Sequence, residues 1–149
     1  YWHTRIGVGG RMDTLQCAIV LAKLERFNWE VQQRIEIGQR YNVAMDRNSI
    51  PRVQQRADRS SVFAQYTIFV EDRNQAQESL KKAGIPTAVH YPFPLNQQPV
   101  YQGTSCTDPT PNSRQAAKLV MSLPMGTDLQ TGAQAIVIET LRSGLLCRY

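Results

Sequence analysis

The feature that most constrains this chain is an apolar stretch, residues 15–24, which leads into an amphipathic segment. Apolar side chains all round predict a helix that is buried on most of its surface. Further on, Trp29, Tyr41 and Met45 recur among Gln, Arg and Glu, and this stripe predicts a core or interface face. A helix or kinked helix pair over residues 12–45 would be roughly 50 Å long at about 1.5 Å per residue. Because a small domain is narrower than that, we expect this helix to connect two bodies.

The remainder of the sequence shows strand and helix patterns in turn. Residues 61–71 are rich in β-branched and aromatic side chains, and Gly84 is a natural residue to follow a helix end. The predicted order is a polar connection over 46–60, a strand over 61–71, a helix over 73–83, a short strand over 87–91, a helix over 113–121 and a helix over 131–146. This order predicts an α/β fold with an α+β small domain, in which a long connecting helix leads to a short sheet covered by helices.

Some details of this pattern concern packing. Residues 122–125, Ser-Leu-Pro-Met, predict the stop of a helix followed by a turn, with a structural role only. Cys17 lies on the apolar helix, where inert packing is expected. One side of the last helix is predicted to pack, and it carries Ile136, Val137, Leu141 and Leu145.

Charge narrows the kinds of partner. The 149 residues include 17 Lys and Arg against 12 Asp and Glu, which gives a formal net charge of +5. All but four of the basic residues are arginines, whose planar forks suit carboxylate and phosphate groups. They are scattered and form no basic face with interleaved aromatic residues, so we expect anionic ligands or an acidic neighbouring domain and no nucleic acid.

The cysteines and histidines argue against a metal site. Cys17, Cys106 and Cys147 are far apart, and the histidines are His3 and His90. This pattern favours reduced thiols in the cytoplasm over a zinc site or a disulfide framework. No apolar run approaches the ~18 residues that cross a bilayer, so no membrane partner is expected. Because the first residues resemble the middle of a protein, we expect the chain to be a piece of a longer one.

Two short segments carry side chains suited to binding. Residues 7–13, Gly-Val-Gly-Gly-Arg-Met-Asp, precede a helix, where backbone N–H groups can hold an anion and Arg11 would add a charged fork. Their spacing alone favours a tight turn with a surface arginine, because short glycine clusters are common. His90 ends a predicted strand before Tyr91 and a proline-bounded loop, and it is a candidate acid, base or anion donor. A histidine that only satisfies a structural hydrogen bond is the favoured alternative.

Several motifs occur together along the chain. They are Gly7-x-x-x-Arg11-Met12-Asp13-Thr14-Leu15-Gln16-x-Ala18, Lys23-Leu24, Arg34, Arg40-Tyr41, Gln65-Tyr66, Gly84-Ile85-Pro86-Thr87, His90-Tyr91-Pro92-x-Pro94-Leu95, Gln98-Pro99-x-Tyr101 and Ser122-Leu123-Pro124-Met125. In order and spacing, this set resembles the C-terminal portion of the DegT/DnrJ/EryC1/StrS sugar aminotransferases. The match covers nearly the whole chain, and the number of motifs makes it specific.

The resemblance implies a fold-type I enzyme that depends on pyridoxal 5′-phosphate, bound mainly by a large domain outside this chain. It implies that residues 1–46 are a cross-subunit loop and the long helix connecting from that large domain, and that residues 47–149 form the small α/β domain. Such enzymes are cytoplasmic homodimers that move an amino group from glutamate to a nucleotide-linked keto sugar. The sequence of residues 7–18 looks most like that of UDP-2-acetamido-2-deoxy-ribo-hexuluronate aminotransferases of lipopolysaccharide biosynthesis. This similarity implies a UDP-linked 3-keto sugar uronate as the substrate.

The resemblance also implies the site residues. Gly9, Gly10 and Arg11 would contact the cofactor, while Arg11, His90 and Tyr91 would contact the substrate. No metal ligand is implied. No catalytic residue falls within the chain, because the Schiff-base lysine belongs upstream and none of the four lysines here lies in its motif. The chain on its own is therefore expected to be inactive.

Two positions depart from the family pattern. The family usually has asparagine where this chain has Gly9, and often histidine where it has Asn96. The first change removes a side-chain donor on the cofactor side, and the second casts doubt on Asn96 as a site residue. The Gly9 change favours one alternative, a non-catalytic binding or regulatory relative with the same fold. The other alternative, an unrelated basic binding module, conflicts with the ordered motifs.

Overall fold

The apolar and amphipathic stretches form two consecutive helices, α1 (Thr14–Leu24) and α2 (Phe27–Arg47), in a computed structural model that describes residues 2–101, 103 and 109–146. Asp13 begins α1 with a capping box: its carboxylate accepts from the Gln16 backbone N–H at 2.8 Å, and the Gln16 side chain accepts in return. A break at Glu25 and Arg26 separates the two helices. The predicted kinked helix pair is thereby confirmed.

Within the part of the chain that the structure describes, three further α-helices and two short strands follow, so the fold is α/β as the sequence predicted. Strand β1 (Tyr66–Phe69) pairs antiparallel with β2 (Val120–Leu123), in a register that sets Thr67 opposite Ser122. The other elements are α3 (Arg73–Lys82), two 3-10 turns (Leu95–Gln97 and Pro99–Tyr101), α4 (Pro111–Leu119) and α5 (Thr131–Leu146). Gly84 follows α3 with a positive φ of 73°, the conformation expected of a glycine after a helix end.

The core gathers buried side chains from α2, the sheet, α3 and α5. Ile37, Tyr41 and Met45 recur every fourth residue along α2 and are almost completely buried. The Tyr41 hydroxyl donates to the Pro124 carbonyl at 3.1 Å, and the Tyr66 hydroxyl donates to the Asn42 side chain at 2.9 Å. Burial raises the pKa of both tyrosines above the ordinary value, so both remain neutral donors. The predicted packing role of Tyr41 and Met45 is confirmed, whereas Trp29 is exposed under the Arg26 guanidinium.

An ion pair between Arg52 and Asp46 ties the polar connection after α2 to the end of that helix. The Arg52 guanidinium donates to both oxygens of Asp46 at 2.9 Å, and this hydrogen bonding lowers the pKa of the Asp46 carboxyl. Arg52 also forms a single bridge with Ile68, so the connection adds one residue to the edge of β1.

One predicted strand and one predicted helix end are wrong. Residues 87–91 form no strand: only Ala88 pairs, through two backbone hydrogen bonds with Ser122, because the prolines around this segment remove the donors that a longer ladder needs. The helix predicted over 113–121 ends at Leu119, and Val120 is already extended. Ser122 and Leu123, predicted as part of a helix stop, belong to β2, because pairing with β1 and Ala88 outweighs local propensity.

Three burial predictions also differ from the structure. No residue of α1 is buried, although its apolar sequence predicted burial on most sides, because α1 contacts little besides α2. Cys17 is accordingly exposed rather than packed. On α5, Val137 and Leu141 are buried and Leu145 is partly buried as predicted, but Ile136 is exposed.

Candidate functional site

A cavity of about 570 Å³ lies between the proline-bounded loop and α4. His90, Tyr91, Phe93 and Leu95 line it from the loop side. From the other side it is lined by Ser113, Ala116, Ala117 and Val120 of α4 and β2. The walls are mostly apolar, with an imidazole, phenols and hydroxyls at a few points. Such a cavity suits an organic ligand that is oriented by a small number of polar contacts.

His90 is held at the cavity by the sheet beneath it. Its Nδ1 lies 3.0 Å from the Ser122 Oγ, which in turn lies 3.1 Å from the Thr67 Oγ1. Tyr91 is 56% exposed, and its ring meets that of His90 nearly edge-on at 5.6 Å. The structure thus brings the two predicted substrate residues, His90 and Tyr91, to one cavity.

The segment before the glycine cluster docks on the same loop. The Trp2 ring packs edge-on against Phe93 at 5.3 Å between ring centroids. The backbone of His3 accepts from the Val100 N–H at 3.0 Å and donates to the buried Gln98 side chain at 3.0 Å. Residues 2 and 3, which precede the glycine cluster, are therefore anchored beside the His90 cavity.

The glycine cluster itself extends into open space. A Cβ added at Gly7, Gly9 or Gly10 would meet nothing within 4 Å. Arg11 is exposed, does not line the cavity, and its guanidinium has no hydrogen-bond or ion-pair partner among the residues that the structure describes. No contact joins Arg11 to His90. The predicted cofactor contacts of Gly9, Gly10 and Arg11 remain predictions.

Sequence reasoning missed two polar residues near His90 and doubted a third. Ser122 and Thr67 escaped it because their role depends on strand register. A polar residue inside the apolar run Val-Met-Ser-Leu was the signal that could have drawn attention to Ser122. Asn96, which sequence reasoning doubted, lines the cavity and donates to the Thr110 hydroxyl at 2.9 Å.

The donor set near the glycine cluster suits a phosphate and offers no covalent anchor for a cofactor. Backbone N–H groups of an unobstructed glycine loop and an exposed guanidinium are the usual ligands of such an anion. All four lysines are exposed on helices, and none lines the cavity; they are Lys23, Lys81, Lys82 and Lys118.

Within the described residues no cluster of His, Cys, Asp and Glu could hold a metal ion. None of the helices described is both long and apolar enough to span a membrane.

Comparison with known proteins gives a consistent result. The model of the DegT/DnrJ/EryC1/StrS aminotransferase family matches residues 1–142. The chain is 42% identical, over 95% of its length, to UDP-2-acetamido-2-deoxy-3-oxo-D-glucuronate aminotransferase from Pseudomonas aeruginosa. It is 32% identical, again over 95%, to the pleiotropic regulatory protein of Geobacillus stearothermophilus. In both cases it spans 39% of the relative's own length.

The fold agrees with this similarity. The crystal structure of DesV from S. venezuelae, in complex with a ketimine intermediate, matches 98% of this chain with a TM-score of 0.84 and 26% identity. The chain covers 40% of that protein. The chain therefore belongs to the DegT/DnrJ/EryC1/StrS aminotransferase family, whose cofactor is pyridoxal 5′-phosphate.

Proposed function

We propose that the full-length protein is a pyridoxal-phosphate-dependent aminotransferase that moves an amino group from glutamate to a nucleotide-linked keto sugar. The observation that carries this proposal is the apolar-walled cavity at which His90 and Tyr91 meet, in a chain of an aminotransferase family. We infer that the enzyme works as a cytoplasmic homodimer and supplies amino sugars for lipopolysaccharide and related surface polysaccharides. The match to the sequence pattern of the family supports this location, dimeric state and biosynthetic role.

The substrate we propose is a UDP-linked 3-keto sugar uronate. The Pseudomonas relative, 42% identical, is named for a UDP-linked 3-oxo glucuronate. A uronate carboxylate and a diphosphate are both anions, and a net charge of +5 carried mainly by arginines suits them.

We assign the roles as the sequence predicted. The His90 imidazole and the Tyr91 hydroxyl contact the substrate, and Arg11 contributes a guanidinium to substrate and cofactor. Gly9 and Gly10 offer backbone N–H groups to the cofactor phosphate. When bound, pyridoxal phosphate accepts the amino group of one substrate and passes it to the other. The open space at these glycines supports the assignment, because a Cβ added at either one would meet nothing within 4 Å, which leaves room for a ligand on that side of the loop.

The division of labour within the protein follows from the lysines. Because none of the four lies at the cavity, we propose that the lysine that binds the cofactor lies upstream of this chain and that the isolated chain is inactive. Residues 1–46 then form the cross-subunit loop and the helix connecting to the large domain, while residues 47–149 form the small domain.

The test is an assay of the full-length protein with glutamate and a UDP-linked 3-keto uronate. We expect the visible absorbance of a bound cofactor and the release of 2-oxoglutarate. His90→Gln should raise KM for the keto sugar about tenfold, because it removes a polar contact to the bound substrate. His3→Gln is the matched control, since the His3 side chain is exposed and only its backbone contacts the loop. Equal KM values for the two variants would refute the role of His90.

Two observations favour a second candidate, a non-catalytic binding or regulatory protein with the same fold. A relative that is 32% identical is named as a pleiotropic regulatory protein, and this chain lacks the asparagine that the family usually has at Gly9. Cofactor uptake separates the two candidates. A full-length protein that is colourless after incubation with pyridoxal phosphate, and that transfers no amino group, would contradict the aminotransferase and favour the non-catalytic alternative.

A further inference from the structure

Three polar side chains from three separate segments form one hydrogen-bonded chain beneath the cavity. Thr67 of β1 and Ser122 of β2 are directly opposite each other in the strand register, and their hydroxyl oxygens are 3.1 Å apart. Ser122 also contacts His90, with its Oγ 3.0 Å from the ring Nδ1. The chain therefore runs from the sheet to an imidazole that lines the cavity.

The position of Ser122 is set by backbone pairing on both of its sides. The ladder with β1 fixes it against Thr67. On the other side, Ser122 exchanges two backbone hydrogen bonds with Ala88, at 2.8 and 3.1 Å, and Ala88 lies two residues before His90. Because both neighbours are fixed by the backbone, the three side chains are brought together without any adjustment of long, flexible groups.

A hydroxyl in this place needs an explanation, because Ser122 is only 4% exposed and lies between the buried residues Met121 and Leu123. A buried hydroxyl without partners is costly, whereas alanine would fit the same space without that cost. The Thr67 hydroxyl and the His90 ring are the hydrogen-bond partners that compensate the burial of the Ser122 hydroxyl.

We propose that Ser122, supported by Thr67, is a positioning residue that fixes the His90 imidazole through Nδ1. The inference rests on the proposed function, in which His90 contacts the keto-sugar substrate. With Nδ1 held by the sheet, the ring is kept at one orientation towards the cavity, so its contact with the sugar costs little further ordering.

The choice of hydroxyls has a chemical consequence, because each can both donate and accept. When Nδ1 carries no proton, Ser122 donates to it and accepts from Thr67. When Nδ1 carries a proton, the ring donates to Ser122, whose own proton turns towards Thr67. The Thr67 and Ser122 pair therefore holds the ring in place whether or not Nδ1 carries a proton.

The experiment labels the histidine ring nitrogens of the full-length protein with nitrogen-15 and measures the Nδ1 resonance of His90, assigned by its loss in His90→Gln. In Ser122→Ala we expect this resonance to move and KM for the keto sugar to rise about five- to tenfold. Thr67→Val should produce a smaller change of the same kind, and it serves as the test if Ser122→Ala does not fold. Thr67→Ser, which keeps the hydroxyl, should restore the original Nδ1 resonance.

Thr87→Val is the matched control. It also removes a partly buried threonine hydroxyl, one that accepts from Gln77 at 3.1 Å, in the segment that leads to His90. We expect it to leave the Nδ1 resonance and KM unchanged. An unchanged Nδ1 resonance in Ser122→Ala would overturn the inference whatever the activity. So would an unchanged KM in Ser122→Ala when His90→Gln raises it. If His90→Gln itself left KM unchanged while Ser122→Ala moved the resonance, the proposed substrate role of His90 would fail and its positioning by Ser122 would stand.

Discussion

Gln134 shows how single buried polar residues join the elements of this fold. It is 1% exposed on α5, yet both ends of its amide are bonded to α2. Its Nε2 donates to the Ile37 carbonyl at 2.9 Å, and its Oε1 accepts from the Arg40 Nε at 2.7 Å. The bond to a guanidinium is charge-assisted, so it is stronger than a neutral one. Gln134 therefore fixes the register of α5 against α2 where apolar packing alone would allow sliding.

Replacing Gln134 with leucine should lower the free energy of unfolding by about 2 kcal/mol, because the Arg40 donor and the Ile37 carbonyl lose a partner inside the packed interface. Urea denaturation followed by circular dichroism measures the change. The control is Gln32→Leu, which removes an exposed side-chain bond to Glu36 on α2. That variant should stay within about 0.5 kcal/mol of the original protein. Similar losses in the two variants would contradict the argument.

At the scale of elements, α2 carries a glycine that its packing requires. A Cβ at Gly38 would lie 2.3 Å from the Phe63 ring, far inside van der Waals contact. Phe63 is held there with a positive φ of 46°, and its ring packs against Tyr66 at 6.0 Å between centroids. The ring therefore has little freedom to move away, and the missing side chain at Gly38 lets the loop before β1 lie directly on the helix.

Gly38→Ala should consequently destabilise the fold by about 1–3 kcal/mol, although alanine is the better helix former. Gly132 provides the control, because it lies in the first turn of α5 with nothing within 4 Å of an added Cβ. Gly132→Ala should be neutral or stabilising by up to about 1 kcal/mol. Thermal unfolding measures the melting temperatures of both variants. A melting temperature of Gly38→Ala at or above that of the original protein would contradict the expectation.

How far the sequence predicts these elements depends on what determines each one. Helices α1, α2, α3 and α5 follow from side-chain patterns within a few residues of each other, and Asp13 and Asp72 also cap α1 and α3. Strand β2 does not, since Val120 follows α4 without a glycine or proline and becomes extended only by pairing with β1. The same limit applies to the site. A proline-bounded His90 can be noticed locally, whereas the contact of Ser122 with it depends on a register between segments distant in sequence.

At the scale of the whole molecule, α1 is the part whose sequence and surroundings disagree. Its side chains are apolar all round, yet none is buried, and Leu15 and Leu21 are 72% and 66% exposed. Ile19, Val20 and Leu24 are exposed as well, so α1 presents apolar side chains around most of its circumference. Apolar surface concentrated in this way is uncommon on a monomer and favours association, whereas single exposed apolar residues do not.

The 149-residue chain expressed alone should therefore self-associate through α1, which sedimentation velocity detects as a mass that rises with concentration. Replacing Leu15, Ile19 and Leu21 with glutamine should remove most of this association, because it takes away much of the apolar area while keeping residues compatible with a helix. The control replaces Val53 and Ile136 with glutamine, since both are also exposed but lie outside α1. This control variant should associate as the original chain does. A chain that sediments as a monomer at every concentration, or a control that dissociates as fully as the α1 variant, would show that the surface of α1 does not drive association.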